Sequence, residues 1–132
     1  MPSGGFFSVD SLRGVWLLVV DSNPRGRETL REILSYCGGL VTPMASVNEA
    51  LSVMRQVKPD VLIVALADDA DFAFIRQVRG LKPEDGGVVP AIAIARDVDH
   101  DLARSRGYQA FLRTPLDPWE LCRLVSNLMT VQ

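Results

Sequence analysis

Three places in this chain carry residue types that could do chemistry. Asp21, Ser22 and Asn23 follow directly on the apolar run VWLLVV. A carboxylate beside a hydroxyl at the end of such a run offers hard oxygen ligands for a divalent cation. A second apolar run, VLIVAL, is followed by Asp68, Asp69 and Asp71, which read first as solvated loop acids or a helix cap. The third place pairs Arg96, after AIAIA, with Thr114, just before Pro115. Other reactive types lack company. His100 stands between Asp99 and Asp101 and reads as a surface residue rather than a phosphodonor. Cys37 and Cys122 have no CxxC spacing and no neighbouring His, so no zinc ligand set is expected. They read as two free thiols, with Cys122 on the apolar stripe of its helix as an inert core residue.

Short β-branched runs alternate with helical periodicity and would position these groups. The runs are VWLLVV (15–20), LVTPM (40–44), VLIVAL (61–66), VVPAIAIA (88–95) and AFL (110–112). Leu30, Ile33, Leu34 and Cys37 repeat as one buried helix face, with Asn23 and Pro24 at its start and Gly38 at its stop. Ser46 and Glu49 form a capping box for a second helix carrying Val47, Ala50, Leu51 and Met54. Phe74, Val78 and Leu81 mark a third helix, and DVDHDLARSRG holds a short fourth of two or three turns. Leu121, Leu124, Val125 and Leu128 mark the last, started by Asp117 and Pro118.

Five strands joined by helices predict an α/β fold with a doubly wound five-stranded parallel sheet. Pro43 cannot donate a ladder hydrogen bond and belongs at an edge, which favours strand order 2-1-3-4-5, the flavodoxin-like arrangement. In such sheets ligands bind at the carboxyl ends of the strands, where Asp21, Asp68, Asp69, Arg96 and Thr114 fall.

The bulk properties agree with one domain. The chain has 132 residues, 48% hydrophobic, enough for a single core, and its net charge of −2 offers no basic stripe for direct nucleic-acid contact. No apolar run approaches membrane-spanning length, and the N-terminus has no signal-peptide pattern, so a cytoplasmic protein is expected. Residues 1–12, with Gly4 and Gly5, read as a flexible leader, and residues 13–132 as the domain. Phe6 and Phe7 of the leader could dock against it.

VVDSNPRGRETLREIL, SVNEAL, KPDVLIV, VPAIAIA and FLRTPLDPWEL together resemble the receiver domains of two-component response regulators, over nearly all of residues 13–130. The resemblance implies an acidic pair after the first strand, an acceptor Asp ending the third, a hydroxyl ending the fourth and a Lys before a Pro after the fifth. Here those positions fall on Asp21 and Ser22, Ala65, Ala95, and Thr114 before Pro115. Phe111 takes the place of the switch aromatic on the fifth strand.

A methyl group cannot attack phosphorus, so Ala65 cannot accept a phosphoryl group. With Ser22 and Ala65 beside it, Asp21 is nearly alone, and high-affinity Mg binding is not expected. No cofactor and no catalysis are expected. The resemblance therefore implies a degenerate pseudo-receiver acting in a phosphorelay as a phosphorylation-independent interaction module. Its expected partners are a signalling protein, a neighbouring kinase or output domain, or a second copy of the chain. The expected contact face is on the last helix, with Trp119, Leu121, Arg123 and Leu124. Two other readings stay open: a working receiver phosphorylated at Asp68 or Asp69, and a flavodoxin-like binder of a small ligand. DSNPRG lacks the Gly-rich loop that phosphate cradling would favour. Asp21 needs a polar partner at a strand end; Arg96 is expected first, then the hydroxyls of Ser22 and Thr114.

Overall fold

The computed structural model describes residues 11–67, 69–96 and 100–130, and for 69–72, 100 and 130 the backbone alone. Five strands form one parallel sheet: β1 (Trp16–Val20), β2 (Leu40–Met44), β3 (Val61–Ala65), β4 (Ala91–Ala95) and β5 (Ala110–Arg113). Their spatial order is β2-β1-β3-β4-β5. Pro43 sits opposite Val19 on edge strand β2, where its missing N–H interrupts no second ladder.

Side chains alternate along each strand, so the sheet feeds two cores. On one face Leu17, Val19, Val61, Ile63, Ile92 and Ile94 pack under α1 (Pro24–Tyr36) and α5 (Pro118–Thr130). On the other, Leu18, Val20, Leu62, Val64, Ala91 and Ala93 pack under α2 (Val47–Met54), α3 (Asp69–Arg79) and α4 (His100–Ser105). Each fully buried Leu or Ile contributes about 1.5–3 kcal/mol over its exposed state.

The caps explain where the helices begin. Asn23 Oδ1 accepts from the N–H groups of Arg25 (2.9 Å) and Gly26 (3.4 Å) at the start of α1. Ser46 Oγ accepts from Glu49 N–H at 3.2 Å, while Glu49 reaches back past the cap to Ala45 N–H at 2.9 Å. Asp117 Oδ1 accepts from Trp119 N–H at 2.9 Å to start α5. Gly38, with φ of 95°, supplies the left-handed turn that lets β2 follow α1 after Cys37.

Three expectations need correction. Leu12, assigned to the leader, is fully buried in the α1–α5 core, and its N–H donates to Cys37 O at 2.9 Å, so the folded unit takes it in. The fourth strand begins only at Ala91, because the chain still turns at Val88, which is exposed, and Pro90 precedes the ladder. Trp16, whose place in the apolar run VWLLVV suggests packing against a helix, is only partly buried, and its indole N–H donates to Thr42 Oγ1 on β2 at 2.8 Å, so its polar end is held by the neighbouring strand. Phe6 and Phe7 lie outside the described residues.

At the amino edge of the sheet one side chain ties three segments. Arg79, at the end of α3, donates from Nε and Nη2 to Gly107 O (2.9 and 2.7 Å), and from Nη1 to Val89 O (2.7 Å) and Gly87 O (3.2 Å). Nη2 also donates to Gln109 Oε1 at 2.7 Å, which accepts in turn from Ala91 N–H at 2.7 Å. Burial lowers the Arg79 pKa from its ordinary value, yet a guanidinium stays charged at any physiological pH.

Candidate functional site

The strand register brings the chemically interesting positions to one edge. Val20 pairs with Val64, so Asp21 is level with Ala65, the last residue of β3. Ala65 pairs with Ile94, which puts Ala95 one step beyond, and Ala95 pairs with Arg113, which puts Thr114 one step beyond that. Thr114 N–H donates to Ala95 O at 3.1 Å, extending the β4–β5 ladder to the edge, and a cis peptide bond joins Thr114 to Pro115. Asp21, Ala65, Ala95 and Thr114 are all half-buried, and Ser22 is exposed.

Asp21 is held by the turn that launches α1. Its Oδ1 accepts from Asn23 N–H at 2.9 Å, and its Oδ2 occupies the space that a Cβ at position 26 would fill, so residue 26 must be glycine while this carboxylate lies here. The carboxylate therefore rests against the positive first turn of a helix. Arg27 Nη1 donates to the Asp21 carbonyl at 2.9 Å. Arg96, expected as a partner of Asp21, is exposed beyond the end of β4. Asp68 lies outside the described residues, as do the side chains of Asp69, Asp71 and His100.

Among the described residues no group of three His, Cys, Asp or Glu side chains converges. Asp21 is the carboxylate that the described residues place level with Ala65, beside the exposed Ser22 hydroxyl. Ala65 at the end of β3 and Ala95 at the end of β4 carry methyl groups, and Arg96 is exposed beyond them.

Phe111 is half-buried on β5 and packs against the core under α2–α4. The face expected on α5 divides. Trp119 is 47% exposed and Arg123 is exposed, but Leu121 is fully buried in the core and Leu124 packs partly against it. Leu121 is thus removed from that face, since it belongs to the apolar stripe that seats α5 on the sheet. Trp119 has a different companion. With Tyr36, itself 65% exposed, and Ile33 and Pro118 it borders a groove of about 420 Å³ between α1 and α5.

Sequence reasoning missed what lies innermost in that groove. Cys37 and Cys122, 85 positions apart, meet with Sγ atoms 2.9 Å from each other, and both line the groove although each is almost fully buried. Cys37 donates its S–H to Cys122, whose own S–H points to Ile33 O at 3.9 Å. Burial first, and then the Cys37 contact, push the Cys122 pKa well up. The only available signal was that both cysteines continue the apolar stripes of helices packed on the same sheet face.

No family model matches the chain. Its fold is that of receiver domains. A response regulator from Chloroflexus aurantiacus, described as putative, is 25% identical with a TM-score of 0.80, over 87% of this chain and 97% of its own. The chemotaxis response regulator CheY4 of Vibrio cholerae is 20% identical with a TM-score of 0.77, over 86% and 98%. The receiver domain of a Pseudomonas aeruginosa sensor histidine kinase, solved with magnesium in its active-site cleft, is 23% identical with a TM-score of 0.75, over 86% and 96%. In sequence, an uncharacterized 14.6 kDa protein from the sodA1 3' region of Leptolyngbya boryana is 39% identical over 116 residues, covering 84% of this chain and 87% of its own. Identity of that order along most of both chains means that this chain belongs to the family of the Leptolyngbya protein, built on the receiver fold.

Proposed function

We propose that the chain is a pseudo-receiver: a module of two-component phosphorelay signalling that works by protein contact, without phosphorylation. The observation that carries this reading is the methyl of Ala65 at the tip of β3, level with Asp21, where a receiver needs a carboxylate nucleophile. Ser22, Ala95 and Thr114 supply no cation and no second acid at the same edge. The switch then has no chemical input there, and the fold presents one constant surface.

That surface is the α1–α5 face. Tyr36 and Trp119 expose large aromatic area on neighbouring helices, with Arg123 on the same helix as Trp119. Aromatic and Arg side chains are the usual anchors of protein contacts. The partner is a signalling protein, a kinase or output domain, or a second copy of the chain. No helix among the described residues is long and apolar enough to cross a membrane.

The test is incubation with acetyl phosphate or beryllofluoride plus magnesium, read by intact mass and by sedimentation. The expected result is an unchanged mass and an association state indifferent to the donor. One phosphoryl group per chain, on Asp68, Asp69 or any other acid, overturns the proposal.

A further inference from the structure

The structure assigns a second role to the groove between α1 and α5: Cys37 and Cys122 form a dithiol site that a peroxide, or a small-molecule disulfide, oxidises to an internal disulfide. This pair of thiols lies on the α1–α5 side of the sheet, apart from the strand-tip edge. The two sulfurs are 2.9 Å apart, and a disulfide requires about 2.05 Å, so closing the bond needs a movement of under about 1 Å. One cysteine caps the end of α1 and the other lies in the second turn of α5, both seated on the same sheet face. Two helices held at that spacing by a shared core present the thiols already paired.

Access comes from the groove. Both cysteines line it although each is almost fully buried, and Tyr36 and Trp119 stand exposed at its border, so the groove is the path by which an oxidant meets them. The roles of the two thiols differ. Cys122 is deeper in effect, since burial and the contact from Cys37 hold its proton on. Cys37 is the first to react, because the Cys122 proton is held on. Its thiolate sulfur attacks one peroxide oxygen, the O–O bond breaks, and the departing hydroxide takes a proton to leave as water. The Cys37 sulfenic acid then meets the Cys122 sulfur already in contact. The S–S bond forms, the S–O bond breaks, and the hydroxide leaves as a second water with the Cys122 proton. Two electrons pass from the two sulfurs to one peroxide; with a small-molecule disulfide, the Cys37 sulfur displaces one thiol to form a mixed disulfide, the Cys122 sulfur displaces the other, and two reduced thiols leave with the two cysteine protons.

The full chain, reduced and then exposed to hydrogen peroxide or to glutathione disulfide, tests this by intact mass after denaturation and alkylation. The expected product has lost two hydrogens, takes up no alkylating agent, and yields one peptide pair joined through Cys37 and Cys122. Its urea midpoint lies above that of the reduced chain, because the crosslink closes a long loop without distorting the fold. In Cys122→Ser, the same peroxide leaves a sulfenic acid on Cys37 that a dimedone probe traps. The proposal is overturned if both thiols remain alkylatable after both oxidants, if the disulfide joins two chains, or if the oxidised chain has the lower urea midpoint.

Discussion

The carboxyl edge of the sheet and the α1–α5 seam are built from the same kinds of element, yet they carry very different side chains. At the edge, the topology gathers Asp21, Ala65, Ala95 and Thr114, and two of the four are alanines that carry nothing beyond a methyl. At the seam, two helices far apart in sequence bring two thiols into contact beneath two exposed aromatic rings. A fold can keep the geometry of a site after losing its reagents, since the geometry follows from strand order and the reagents are single substitutions. The reverse also holds. A seam that exists for packing can acquire reactive groups with no change in architecture.

Substitutions can sharpen this contrast. Leu121→Ala is expected to have the largest effect: it removes a fully buried side chain between α5 and the sheet and costs about 3 kcal/mol. Urea unfolding measures it, and a loss under about 1 kcal/mol would show that α5 is not seated by this stripe. Trp119→Ala, on the same helix but half in solvent, should leave the fold nearly intact and weaken the proposed contact by about 2 kcal/mol. Sedimentation or titration with the partner measures that dissociation constant, and an unchanged value moves the contact off the seam.

At the edge the expected changes are smaller and depend on context. Gly26→Ala must push the Asp21 carboxylate off the first turn of α1 and should destabilise by about 1 kcal/mol. Made together with Asp21→Ala, the same substitution should turn favourable by about 0.5 kcal/mol, since alanine then only improves the helix. A double-mutant cycle by thermal or urea melts reads the coupling, and additivity would show that the carboxylate does not rest there. The smallest expected effect is that of Ala65→Asp. It restores a nucleophile but neither a second acid nor a lysine, and acetyl phosphate with magnesium should still leave the mass unchanged.

Much of the fold is readable in the residues. The near-continuous apolar strands announce a sheet covered on both faces, Pro43 places β2 at its edge, and Ser46 with Glu49 marks the start of α2. These signals are local, and local propensity agrees with the tertiary result. Leu12 escapes because the Gly-rich composition before it suggests a loose leader, while a single leucine can be claimed by a core that the sequence does not display. Leu121 fits two incompatible roles in the sequence, a member of the buried stripe and a member of the contact face, and packing keeps the first. A charged residue across the sheet is the natural partner to expect for Asp21, and the bond from the backbone N–H of Asn23 two positions on is one that the residues do not announce. The cysteine contact leaves only a faint signal, two apolar stripes that continue through Cys37 and Cys122, because a separation of 85 residues does not say that the stripes meet.

The Arg79 clamp has a consequence for how the molecule opens. One guanidinium grips the carbonyls of Val89 and Gly107, which lead into β4 and β5, and reaches the Ala91 amide through Gln109. Neither strand can detach at its start while the other holds the same side chain in place, so the beginnings of β4 and β5 should breathe as one. Hydrogen exchange would show this as a shared opening free energy for amides such as Ala91 and Gln109, whose N–H donates to Ala91 O. With Arg79→Met, those amides should lose their protection together, while Leu18 and Ile63 in the centre of the sheet keep theirs.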